Sequence, residues 1–322
     1  MSKEIKKVLV IKLGALGDFV LALAAMKKIR EAHPKAKITL LTTPPFEALA
    51  KLSPYFNTVE TDGRPEDFGE LTQMLGRLRK ARYDRVYDLQ TNSRTNWYFQ
   101  ALRPFPPQWN GIAFGCSLPQ RNKTRQTMHT LERQADQLRA AGIWPDAPVE
   151  HGSAPPPDLS WILRRHKDAR PVAGAAAPRP YVLFVPGGSA HRPEKRWPVE
   201  AFAQLGSLLK ARGLDIVIIG GPQESAMARA IQKSVGQARD LTGRTDFAQL
   251  AVLGAKAALV VGNDTGPTHL LAAAGAPTIA LFSDASDPDL CGPRGHVAVI
   301  RSPDLKALPV STVASAAISL LP

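Results

Sequence analysis

The sequence predicts an α/β protein of two doubly wound, parallel-sheet domains facing across a cleft. Three observations carry this. Short apolar, β-rich runs alternate with helical periodicities along the chain. A stretch at about 145–180, holding eight prolines from Pro145 to Pro180 and an alanine-rich piece at Ala173–Ala177, interrupts that alternation; prolines this dense resist regular packing, so it reads as the linker, with a short helix at Leu159–His166. The alternation then begins again. The length agrees, since 322 residues exceed the roughly 100–150 of one domain.

The elements follow in order. Val8–Ile11 suits a buried parallel strand. After a glycine-containing turn, apolar residues at 19, 20, 23, 26 and 29 give a helix from about Asp18 to Ala32, ended by His33-Pro34. Ile38–Leu41 is a second strand stopped by Pro44-Pro45, Phe46–Leu52 a short helix and Asn57–Glu60 a third strand. Leu71, Met74, Leu75 and Leu78 share one helical face, and Arg85–Leu89 is a strand. In the second half, strands are expected at Tyr181–Val185, Asp215–Ile219, Ala257–Val261 and Thr278–Phe282. Helices are expected at Val199–Arg212, Ser225–Val235, Phe247–Ala255, Thr268–Ala274 and Val310–Leu321.

Composition excludes several classes. Hydrophobic residues at 44% and charged residues at 21% are globular values. Cys116 and Cys291 are too few for a disulfide framework or a metal site. The N-terminal lysines precede only a four-residue apolar run, and Phe19–Met26 falls far short of the roughly 20 residues that span a bilayer. A cytoplasmic protein with reduced cysteines is expected. The net charge of +13 points to an anionic partner, with +8 in residues 1–150 and +5 in 151–322. Arg77, Arg79, Lys80, Arg82 and Arg85 form one basic group and Arg121, Lys123 and Arg125 another. They suit an acidic acceptor or an anionic membrane surface, or else a solvated helix face. Nucleic acid is disfavoured, because few aromatics interleave with the basic runs and no nucleic-acid motif is present.

Three polar loops stand at strand ends. Lys12-Leu13-Gly14-Ala15-Leu16-Gly17-Asp18 joins the first strand to the first helix. Gly14 and Gly17 let backbone approach a ligand at a helix N-terminus. A nicotinamide site is disfavoured: the spacing is not G-x-G-x-x-G, and the second strand ends in Thr42-Thr43-Pro44 without a carboxylate. Asp18 suits either a helix cap or a general base. Pro186-Gly187-Gly188-Ser189 suits phosphate binding by backbone N–H groups and a hydroxyl. Arg192, Lys195 and Arg196 then concentrate the positive charge a diphosphate needs, unless this is a solvated basic loop with Trp197 as a core anchor. Gly262-Asn263-Asp264-Thr265-Gly266-Pro267-Thr268-His269 holds more polar groups than capping requires, where α/β folds place ligand contacts. His269 is read as a ligand contact or a core histidine.

In this order, Lys12-x-x-Gly-x-x-Gly-Asp18, Pro-Gly-Gly…Lys195-Arg196-Trp197-Pro198 and Gly262-Asn-Asp-Thr-Gly-x-x-His269 resemble glycosyltransferase family 9, the ADP-heptose:lipopolysaccharide heptosyltransferases, from about residue 6 to about 300. The resemblance implies a GT-B fold with two Rossmann-like domains: an acceptor-binding one at 1–170 and a nucleotide-sugar-binding one at 178–322, whose last helix is allowed to return to the first. It implies an inverting transfer with Asp18 as catalytic base and Lys195 on the phosphates. Asp264, Thr265, Gly266 and His269 would contact the donor sugar, and Glu224 after Gly220-Gly221-Pro222-Gln223 matches a nucleotide-contacting carboxylate. The family often has a Ser or Thr pair ahead of the lysine, whereas here Ser189 is the only hydroxyl, near His191 and Arg192. ADP-heptose would be a substrate, and no cofactor or metal is expected. The acceptor would be a lipopolysaccharide core or related anionic glycolipid, met at the cytoplasmic face of the inner membrane. A sugar-nucleotide epimerase on the same fold and a non-catalytic binding protein are the alternatives.

Overall fold

A computed structural model describes residues 4–166, 179–189 and 191–321. The alanine-rich piece at 173–177 lies outside the described residues. The chain divides into two compact units, Met1–Pro155 and Pro156–Pro322, at a point inside the proline-rich stretch.

The first unit contains β1 (Lys7–Ile11), α1 (Leu16–Ala32), β2 (Lys37–Leu41), α2 (Glu47–Leu52), β3 (Thr58–Glu60), α3 (Phe68–Ala81) and β4 (Arg85–Asp88). It continues with α4 (Ser93–Ala101), β5 (Gln108–Gly111), β6 (Leu118–Pro119) and α5 (Thr130–Ala140). The six strands are parallel in the order β3-β2-β1-β4-β5-β6. Four consecutive buried residues, Val8 to Ile11, show that β1 is covered on both faces. One face packs Leu9, Ile11, Val86 and Trp109 against Met74, Leu78 and Phe99.

The second unit contains α6 (Ser160–His166), β7 (Tyr181–Val185), α7 (Val199–Lys210), β8 (Asp215–Ile218), α8 (Ser225–Val235) and β9 (Arg239–Asp240). It ends with α9 (Phe247–Lys256), β10 (Leu259–Asn263), α10 (Gly266–Ala273), β11 (Thr278–Phe282), α11 (Pro288–Cys291), β12 (Val297–Arg301) and α12 (Val310–Leu320). Its sheet is again all parallel, in the order β12-β11-β10-β7-β8-β9. β7, β10 and β11 are buried along their whole length. Local chemistry fixes the helix ends: Asp246 accepts from the Gln249 amide at 2.7 Å while Gln249 accepts from the Asp246 amide at 2.9 Å, a reciprocal cap on α9. The last helix packs in this unit, with Val313 and Ala317 in the same core as Trp197, Phe202 and Leu205.

Strand order reverses between β1 and β4 in the first sheet and between β7 and β10 in the second. The carboxyl ends flanking such a reversal diverge and leave a crevice, the usual ligand position in open α/β sheets. The first two polar loops leave β1 and β7, and the third leaves β10.

Phe184 lies fully buried in β7, 5.3 Å from the Phe202 ring. Replacing it with alanine is expected to destabilise the second unit by roughly 3–5 kcal/mol, measured by urea denaturation.

Candidate active site

In the first unit the loop after β1 is held by two side chains from other strands' loops. Gln90 Oε1 accepts from the Leu13 amide at 2.9 Å, and the Thr43 hydroxyl donates to the Leu13 carbonyl at 3.2 Å. Gly14 has φ +120°, and a Cβ there would lie 2.5 Å from Phe46 Cε2, so only glycine fits. Gly17 falls in the first turn of α1 instead of the loop expected from the spacing. Ala15 occupies the N-cap, and its amide donates to Asp18 Oδ2 at 3.3 Å, so Asp18 does take part in capping. The Asp18 side chain is half-buried and its Oδ1 has no hydrogen-bond partner among the described residues.

Behind this loop lie two buried ionisable groups. Lys12 is 4% exposed; burial pushes its ammonium below the ordinary range, Asp18 and Asp88 oppose that, and Arg133 adds to it. Asp88, at the end of β4, is fully buried, with Oδ1 accepting from the amides of Gln90 and Thr91 at 3.1 and 2.9 Å. Its Oδ2 has no hydrogen-bond partner among the described residues. Burial pushes the carboxyl up to about 6, against the Thr91 and Gln90 amides, the nearby Thr95 hydroxyl and the Lys12 charge.

In the second unit the ends of β7 and β10 are joined. Lys195 Nζ lies 2.7 Å from Asp264 Oδ2, and both side chains are largely buried. The Ser286 hydroxyl donates to the same oxygen at 2.6 Å. His269 Nε2 stands 3.5 Å from Asp264 Oδ1, and His269 Nδ1 is buried without a hydrogen-bond partner. Burial alone would raise the Asp264 carboxyl, but bonds from His269, Lys195 and Ser286, with the Lys195 charge, hold it well below the usual carboxylate range.

The remaining expected residues border this cluster. Arg196 Nη2 donates to the Gly188 carbonyl at 2.7 Å. Glu224 is buried, accepts from the Gly221 amide at 2.7 Å, and packs so closely that a Cβ on Gly187 would lie 2.6 Å from its Cγ. Thr265 is the N-cap of α10 without a side-chain cap bond, and Gly266 is the helix's first residue. The Ser189 side chain is exposed and makes no hydrogen bond among the described residues. Arg192 points elsewhere, 3.6 Å from Glu194 with both half-exposed, so that part of the basic loop is solvated. Trp197 is a core anchor, fully buried, with its indole N–H donating to the Leu308 carbonyl at 3.1 Å. Sequence reasoning missed Ser286 and Asp88. The signal for Ser286 was present in Ser283-Asp284-Ala285-Ser286-Asp287, a polar run directly after a buried strand.

A model of glycosyltransferase family 9, the heptosyltransferases, matches residues 71–313. The chain belongs to glycosyltransferase family 9. This makes it a glycosyltransferase and decides against the epimerase. Lipopolysaccharide heptosyltransferase 2 of Escherichia coli K12 is similar at 25% identity over 319 residues, covering 92% of this chain and 88% of that protein. The fold matches a glycosyl transferase family 9 structure from Veillonella parvula with a TM-score of 0.79 at 22% identity, covering 99% and 98% of the two chains. It also matches the E. coli ADP-heptose LPS heptosyltransferase II structure, with a TM-score of 0.78 at 23% identity and 98% of each chain covered. Both chains share the α/β GT-B architecture. Among the described residues, no helix of this family 9 enzyme is long and apolar enough to cross a membrane.

Asp88 gives a pH test of this polar interior. With its carboxyl raised to about 6 in the fold, the unfolded chain gives up that proton first as pH rises. The stability from the protonated form is therefore present below about pH 4 and lost by about pH 6. Asp88→Asn removes this loss. Its stability relative to wild type is expected to improve by roughly 3 kcal/mol between pH 4 and pH 7. Urea titrations at both ends show it, and a pH-independent difference would remove the assignment.

Proposed function

We propose that this enzyme moves heptose from ADP-heptose onto a lipopolysaccharide core or related anionic glycolipid, with inversion at the anomeric carbon. Asp18 is the base. The acceptor hydroxyl gives its proton to Asp18 as the oxygen attacks the anomeric carbon, and the bond from that carbon to the diphosphate breaks. The nucleoside diphosphate leaves with the electron pair. Lys195, Arg196 and the backbone N–H groups of Gly187, Gly188 and Ser189 stabilise the charge that grows on it. Asp264, Thr265, Gly266 and His269 meet the sugar hydroxyls, and Glu224 the nucleoside. Gly14 and Gly17 keep the start of α1 open to the acceptor. No cofactor enters this chemistry, and the reaction is assigned to the cytoplasmic face of the inner membrane.

The observation that carries this reading is the buried Lys195–Asp264–His269 cluster at the end of β10. It combines one cation for phosphate with oxygen and nitrogen groups for hydroxyls, as a nucleotide sugar needs. The similarity to ADP-heptose and lipopolysaccharide heptosyltransferases supports the choice of donor and acceptor.

Mass spectrometry of the product from ADP-heptose and a heptose-accepting core oligosaccharide tests the reaction. Asp18→Asn is expected to lower kcat by about 10²–10⁴ with the donor KM little changed. A loss of less than about tenfold overturns the base assignment. Lys195→Met is expected to weaken ADP binding by about tenfold or more, read by calorimetry, because it removes the charge-assisted contact to phosphate.

A further inference from the structure

The first unit has a second distinctive surface, at the end where its strands begin. Three neighbouring strands start with cations: Lys7 of β1 is in register with Lys37 of β2, and Arg85 of β4 pairs with Val8. The end of α3 adds Arg79, Lys80 and Arg82. Arg103 follows α4, 5.6 Å from the Phe99 ring. The acids on this end are few: the Asp84 carboxylate accepts from the Lys6 and Lys7 amides, Glu4 stands 3.9 Å from Lys6, and Glu31 in the last turn of α1 stands 3.0 Å from Lys28. Helix dipoles account for the cations closing α3, and Arg79 donates to the Ala101 carbonyl at the end of α4. They do not account for cations at three strand starts.

A cavity of about 510 Å³ lies among these groups. Leu9, Leu78, Val86 and Leu102 form its buried apolar wall, while the exposed Arg79, Arg82 and Arg103 stand at its rim. Large apolar side chains project beside it. Phe105 is 91% exposed and Phe114 87%. Gln100 of α4 donates to the Phe114 carbonyl at 2.8 Å, and Gly115 lies against the Arg103 guanidinium, so the Phe114 loop belongs to the same surface.

We propose that this end of the first unit docks on an anionic phospholipid bilayer, with Phe105 and Phe114 entering the headgroup–acyl boundary and the rim arginines on lipid phosphates. Single aromatic side chains on loops, ringed by arginines, match that boundary, where apolar and charged layers lie a few ångströms apart. An acidic protein partner would match the charge but would leave two isolated phenylalanines without a shared flat patch to cover. One consequence rests on the function proposed above. β1 spans five residues, about 17 Å, so Asp18 would stand roughly that far from the bilayer and serve an acceptor sugar held at that height.

The test is co-sedimentation of the full chain with vesicles of phosphatidylcholine containing about one-third phosphatidylglycerol. Binding is expected at low salt, about tenfold weaker on pure phosphatidylcholine and about tenfold weaker in 0.5 M salt. F105S/F114S is expected to bind about tenfold more weakly while transferring sugar to a soluble core oligosaccharide at the wild-type rate. R82Q/R103Q, a second variant with the apolar residues intact, is expected to lose the preference for phosphatidylglycerol. Absence of binding to the anionic vesicles, or wild-type binding by both variants, overturns the proposal. Vesicle binding without any sugar transfer would count against the proposed reaction and leave the docking surface standing.

Discussion

One buried carboxamide organises the second unit's polar end. Asn263, the last residue of β10, is fully buried and uses both ends of its side chain. Its Oδ1 accepts from the Trp197 amide at 3.0 Å, and its Nδ2 donates to the carbonyls of Pro186 and Gly187 at 2.8 and 3.1 Å. The glycine loop after β7, the basic loop that follows it before α7, and the end of β10 far along the chain are thereby fixed at one point. The indole of Trp197 anchors the basic loop from its other side, in the core. With Trp197 held twice, Lys195 two residues earlier meets Asp264 one residue past Asn263. A buried amide left without these partners costs about 1–3 kcal/mol, so the arrangement is strongly preferred over its alternatives.

The same geometry tempers the reading of the net charge. The cations nearest the glycine loop are not free positive charge, since Asp264 neutralises Lys195 and Arg196 is occupied by the Gly188 carbonyl. Under the proposed function an arriving diphosphate competes with Asp264 for the Lys195 ammonium, and Asp264 is then freed toward hydroxyls of the donor. Ser286 keeps a hydrogen bond on the carboxylate during that exchange. The excess of +13 therefore lies mostly away from the donor. Much of it is displayed at the starts of the first unit's strands and the end of α3.

How much of this was legible in the sequence depended on whether apolar periodicity and local order matched the contacts. β7, α8 and β11 fall on the residues expected, because buried parallel strands and amphipathic helices announce themselves. α5 was hard to see for a physical reason: its apolar stripe is only Leu131, Ala135 and Leu138, and the rest of its buried face is the polar Thr130, Glu132, Gln134, Asp136 and Gln137. Gln137, for example, donates to the Asp88 carbonyl at 2.8 Å. α4 has only Tyr98 and Phe99 as large buried anchors, β6 and β9 are two residues long, and β12 is a half-exposed edge strand. At the candidate site, the local motifs located the Asp264 cluster and the Asp18 loop. They could not pair Ser286 with Asp264, 22 residues earlier, or bring the Asp88 charge near Lys12, because those pairings exist only after folding.

Asp18 shows how a bland reading and a functional one can both hold. As the third residue of α1 it spends Oδ2 on the Ala15 amide, an ordinary helix-start contact. That contact restrains the carboxylate without consuming it, since a carboxylate offers about four acceptor sites. Oδ1 remains for a proton from outside the fold. The loop bonds of Gln90 and Thr43 fix the backbone that carries the cap, and the Phe46 ring against Gly14 closes the loop's other side. Under the proposed function, capping is then the means of positioning: a base held by its own helix start loses little conformational freedom when an acceptor hydroxyl arrives.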